Sequence, residues 1–121
     1  MANSNDFVAF VLEQMSTFGP INAKRMFGGH GLYLDGLMFA LIDDDRLYLK
    51  VDDQTRTDFV AKQTKPFTYQ RKGEAASLSY YEAPSEVFDD KADMLVWARK
   101  AYETALRNRA APKKSRRTPK L

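Results

Sequence analysis

At 121 residues the chain has the length of one domain, and it contains no cysteine. Disulfides, Cys-ligated zinc, iron–sulfur clusters and thiol catalysis are therefore excluded. The formal net charge is +3, yet seven of the 19 Lys and Arg residues follow Leu106 and none of the 16 acids does, which leaves residues 1–106 at −4.

The start, Met1-Ala2-Asn3-Ser4-Asn5-Asp6, lacks the basic and apolar blocks of a signal peptide. No apolar run approaches the ~18 residues that span a membrane. The expectation is a soluble, cytoplasmic protein. A first helix is predicted from about Asn5 to Phe18, capped by Ser4 or Asn5. Phe7, Phe10, Val11, Met15 and Phe18 recur at helical steps, and Gly19-Pro20 ends the helix.

From residue 24 the period changes. Arg25-Met26-Phe27 and Leu32-Tyr33-Leu34 flank Gly28-Gly29-His30-Gly31, where the glycines mark either a bulge within one strand or a break into two. Asp35-Gly36 is a tight-turn signal, Leu37 to Ile42 is an apolar strand, and Asp43-Asp44-Asp45 turns the chain into Leu47-Tyr48-Leu49-Lys50-Val51. Such short joins demand an antiparallel meander.

A short second helix is expected from Asp52 or Asp53 to about Lys62, with Phe59, Val60 and Ala61 available to the sheet. Pro66 bars its continuation. Phe67 to Arg71 and Leu78 to Tyr81 read as two more strands. A last helix should begin at Asp89 or Asp90, with Met94, Trp97, Ala98, Ala101, Tyr102 and Ala105 as its apolar stripe, and fray after about Leu106. Residues 108–121 hold no apolar period and read as a basic, disordered tail to a domain spanning 1–107.

The resulting fold class is α+β: a five-stranded antiparallel sheet with three helices, in the order α-β-β-β-α-β-β-α. Helices packed mainly on one face satisfy that order. Tyr33, Tyr48, Tyr69 and Tyr80 would leave the other face partly apolar and receptive to a partner.

Two stretches carry a resemblance. One is Met26-Phe27-Gly28-Gly29-His30-Gly31-Leu32-Tyr33-Leu34-Asp35-Gly36-Leu37-Met38-Phe39-Ala40, continued by Leu47-Tyr48-Leu49-Lys50-Val51-Asp52. The other is Tyr80-Tyr81-Glu82-Ala83-Pro84, with Asp89 or Asp90, Leu95, Trp97 and Ala101 downstream. Together they resemble the TfoX N-terminal domain of Sxy-type competence regulators, over about residues 7–107. The resemblance implies a secretion-chaperone-like fold and a non-catalytic role through protein contacts. Its setting would be activation of DNA-uptake genes with a cyclic-AMP receptor protein. The expectation is a stand-alone N-terminal domain without the helical C-terminal domain of the full-length regulators.

Of the chemical motifs, Gly28-Gly29-His30-Gly31 invites a phosphate or small-ligand reading, but phosphate cradles normally open a helix and here strands flank the glycines. His30 is the single histidine, too few groups for a triad or a His-rich metal site. Three adjacent aspartates at 43–45 cannot all point inward from a tight turn, unlike a calcium loop. Neither a catalytic constellation nor a cofactor or metal site is therefore expected. Phe27, Gly28, Gly29, His30, Tyr33 and Tyr48 form the candidate interaction surface for a protein partner, with a homodimer as one form. Lys113, Lys114, Arg116, Arg117 and Lys120 are candidate contacts for weak, salt-sensitive nucleic-acid binding.

Overall fold

The computed structural model describes residues 5–26, 29–71 and 74–110, with side chains described except at 69–78 and 110. The chain runs α1 (Asn5–Gln14), β1 (Asn22–Met26), β2 (Gly29–Leu34), β3 (Leu37–Asp43), β4 (Arg46–Lys50), α2 (Arg56–Ala61), β5 (Pro66–Arg71), β6 (Glu74–Glu82), a 3₁₀ turn (Ser85–Phe88) and α3 (Lys91–Ala110). The α+β class, the three α-helices and the antiparallel sheet agree with the sequence expectation. The sheet has six strands rather than five, ordered β1-β2-β3-β4-β6-β5. Of the two roles open to the glycines, the break holds: β1 and β2 are separate strands, paired from Asn22↔Tyr33 to Met26↔Gly29.

Local chemistry explains the meander. Asp35 and Gly36 both adopt positive φ, +54° and +79°, as the tight hairpin between β2 and β3 requires. Asp44 and Asp45 do the same between β3 and β4, at +54° and +56°. Aspartate tolerates the left-handed region because its short polar side chain can bond locally. Gly29 answers a different need, since a side chain there would run into the Ile42 carbonyl oxygen of β3.

The strands carry one continuous core. Leu32, Ala40, Ile42, Leu47 and Leu49 face Val8, Val11 and Met15 near α1, Phe59 of α2, and Met94, Ala98, Ala101 and Ala105 of α3. Phe39 is inserted at a bulge, where the β2–β3 register shifts between Leu32↔Ala40 and Tyr33↔Met38. Its ring is fully buried and meets Phe18 and Tyr102 edge-on at 5.7 and 5.8 Å. Such pairs add roughly 0.5–1.5 kcal/mol each beyond burial.

Element ends depart from the sequence reading where tertiary contacts intervene. Helix α1 stops at Gln14, and tighter i→i+3 bonds follow, Ser16 N–H to Glu13 O at 3.1 Å and Phe18 N–H to Met15 O at 2.9 Å. That tightening swings Phe18 to Phe39, while Phe10 stays 40% exposed. Only Phe59 of α2 enters the core, and Val60 and Ala61 face water. Consecutive helical residues are about 100° apart and cannot share one face. Helix α3 continues to Ala110 instead of fraying after Leu106. Its added turn is held by Arg107 and Asn108, whose side chains reach Asp52.

Candidate interaction face

Alternation assigns each strand residue to one side of the sheet. The inward set above leaves Lys24, Met26, Tyr33, Met38, Leu41, Tyr48, Lys50 and Tyr80 on the side opposite the core. The described helices pack over the core side, with α3 across β3 and β4. The opposite side therefore presents aromatic and methionine side chains with no described helix over them.

This face is layered rather than flat. Leu41 and Tyr80 lie deepest, 5% and 7% exposed. The Lys50 ammonium sits over the Tyr80 ring, 5.0 Å from the centroid, and the Lys24 ammonium sits over Tyr33 at 4.9 Å. Phe67 of β5 meets Tyr48 edge-on at 4.9 Å. Gly31 keeps the floor low: a β-carbon there would come within 2.7 Å of Met26 Sδ and 3.0 Å of Tyr33 Cε1. Beside Phe67, Met26, Leu41 and Ile42 line an apolar depression of about 70 Å³ that also borders Gly29, His30 and Asp43.

Electrostatics follow from this burial. Burial, with a smaller contribution from Tyr33 across the face, pushes the Tyr80 hydroxyl up to about 12. Burial and the nearby Glu82 carboxylate raise Tyr48. Burial lowers the Lys50 ammonium pKa, and the charge of Asp52 offsets this only in part.

The residues singled out from the sequence do not fall in one place. Tyr33 and Tyr48 share the open face. Gly29 is buried at the β2–β3 pairing, and His30 has the parity of Leu32, pairing with Arg25 and Ile42. Phe27, Gly28 and all five tail residues, Lys113, Lys114, Arg116, Arg117 and Lys120, lie outside the described residues, as does the Tyr69 side chain. Lys24, Lys50, Met26, Met38 and Leu41 were not singled out, although counting by twos from Tyr33 and Tyr48 reaches Lys50, and strand pairing then adds the rest.

Elsewhere the surface holds a wider polar cleft of about 350 Å³ among Arg46, Lys62, Thr64, Lys65, Glu82 and Glu86. Four of its charges are mutually engaged, Arg46 with Glu82 at 3.4 Å and Lys62 with Glu86 at 2.9 Å. Glu86 also accepts from Trp97 Nε1 at 3.2 Å, and the Lys62 and Trp97 bonds hold its carboxyl below the usual carboxylate range. The cleft is thus the seam joining α2, the 3₁₀ turn and α3. Among the described residues no cluster of three or more His, Asp or Glu is placed to hold a metal ion. Among them, too, no helix is long and apolar enough to cross a membrane.

Comparison with known proteins places this geometry in a lineage. Protein Sxy of Escherichia coli (strain K12) is 24% identical over 98 residues, 81% of this chain and 47% of its own length. DNA transformation protein TfoX1 of Aliivibrio fischeri (strain ATCC 700601 / ES114) is 31% identical over 88 residues, 72% of this chain and 42% of its own. The chain thus spans about half the length of the curated relatives it matches. Residues 13–105, from the end of α1 to near the end of α3, match the TfoX N-terminal domain, and the chain belongs to that family.

Proposed function

We propose that the chain is a non-catalytic, cytoplasmic protein-interaction module that acts in the control of DNA-uptake genes, engaging a protein partner through the open face of its sheet. The observation that carries this reading is the run of half-buried Tyr33, Tyr48, Met26, Met38 and Phe67 on the side of the sheet opposite the helices. Methionine and aromatic side chains in one patch suit a protein surface, because they offer large apolar area that adapts its shape. Family membership and the name of the transformation protein among its relatives support the regulatory setting. The partner on this reading is a transcription regulator or a second copy of the chain.

Deleting the gene in its host and measuring DNA-uptake transcripts and transformation frequency tests the proposal. Both should fall and be restored by the wild-type chain. A Tyr33→Asp/Tyr48→Asp variant should keep the wild-type circular dichroism spectrum, lose several degrees of thermal midpoint with the Tyr48–Phe67 contact, and fail to restore them. Unchanged transcripts on deletion would refute the regulatory reading.

The basic tail supports a second reading, an accessory protein that holds nucleic acid through Lys113, Lys114, Arg116, Arg117 and Lys120.

A further inference from the structure

Among the described cations, Arg46, Arg56, Lys62, Lys91, Lys100 and Arg107 each pair with a carboxylate. The other described cations have no ion-pair carboxylate among the described residues: Arg25, Lys65, Arg99 and Arg109 are exposed to water, whereas Lys24 and Lys50 lie over tyrosine rings. Both are on the open face, Lys24 on β1 beside Tyr33 of β2 and Lys50 on β4 beside Tyr80 of β6. Lys50 is half-buried, and the acid that influences it, Asp52, is already bound bidentately by Arg107. A cation drawn out of water without an anion beside it is costly to hold, and an incoming anion removes that cost.

We infer that the open face docks an extended acidic–apolar segment of a partner protein, its carboxylates on Lys24 and Lys50 and an aliphatic side chain in the depression between Met26, Leu41 and Phe67. The inference rests on the open face being the interaction surface and adds the chemistry of what it takes. Charge complementarity selects the acid, since neither Lys24 nor Lys50 has an ion-pair carboxylate among the described residues and both stand over rings on this face. The depression selects the apolar side chain: about 70 Å³ lined by methionine, leucine, isoleucine and phenylalanine is a poor seat for a charged group. Single-stranded nucleic acid fits less well, because the two ammonium groups already cover the faces of Tyr33 and Tyr80 on which bases would stack.

Selection of a random dodecapeptide display library on the full chain, followed by anisotropy titration of the selected peptides, tests the inference. Selected peptides should be enriched in Asp and Glu alternating with Leu, Ile or Val. Their binding should weaken with added salt and fall about tenfold for each of Lys24→Gln and Lys50→Gln. Both variants should keep the wild-type circular dichroism spectrum and thermal midpoint within a few degrees, which separates loss of contact from loss of fold. A Lys24→Glu/Lys50→Glu variant should turn the selection toward basic peptides. Recovery of acid-free peptides, indifference of the selected ones to all three variants, or no enrichment would overturn the inference. So would tighter binding of a twelve-nucleotide poly(U) or poly(dT) that depends on the same lysines. These results speak to the face alone, whereas the transcript measurements above speak to the regulatory setting, so the two failures are distinguishable.

Discussion

Tyr80 shows how one residue's surroundings set its chemistry. A tyrosine on the strand side away from the core would ordinarily titrate near 10, but burial beneath Lys50 and beside Tyr33 lifts it to about 12. Between pH 10 and 12 the unfolded chain releases this proton while the folded chain keeps it. Stability is therefore fully present below pH 10 and falls as pH rises through that window, by about 2 kcal/mol from this group. Tyr80→Phe should remove that part of the alkaline slope. Denaturant titrations of wild type and variant at pH 9 and pH 12 measure it, and equal slopes would contradict the burial of the hydroxyl. The position of Tyr80 on the open face follows from alternation; its depth does not, because that depends on which side chains from β2 and β4 reach over it.

At the scale of elements, the join between β4 and α2 decides where α3 ends. Asp52 accepts from the Gln54 and Thr55 amides at 3.0 and 3.2 Å, which closes the turn before α2. Arg107 Nε reaches its other oxygen at 3.0 Å from the last turns of α3. Burial alone would raise the Asp52 carboxyl, but the Arg107 guanidinium and the two amides outweigh it and hold the group below the usual carboxylate range. The contribution of this pair is thus complete above the unfolded pKa of about 3.9 and disappears as pH falls through the lower folded value. Arg107→Ala should cost about 1–2 kcal/mol near neutrality, several degrees in Tm, with the deficit vanishing in acid. Thermal melts from pH 7 to pH 2 check both parts. The α3 stripe of Met94, Trp97, Ala98, Ala101 and Ala105 was legible in the sequence, since a long periodic helix advertises its buried face. Its end was not, because Asp52 and Arg107 are 55 residues apart and only folding brings them together.

For the whole molecule, the boundary between body and tail sets how the tail is tested. Arg107 and Asn108 belong to the folded body, so a chain ending at Leu106 would lose the Asp52 anchor along with the tail. A chain ending at Ala110 keeps it. On the second functional reading, full-length protein should bind arbitrary duplex DNA weakly and lose affinity steeply between 50 and 200 mM salt, roughly as the number of phosphates neutralised. The chain ending at Ala110 should unfold at the wild-type temperature and bind no DNA; undiminished binding would place the contact on the body instead. The amino-acid sequence by itself determined the class, the three α-helices, the meander and its tight turns, because these depend on period and on residues near one another in the chain. Tertiary structure alone decided that the first strand is two, that Tyr33 and Tyr48 from different strands fall on one side of the sheet, and that Lys24 and Lys50 lie over tyrosine rings. Those outcomes depend on strand register and long-range packing, which no local pattern encodes.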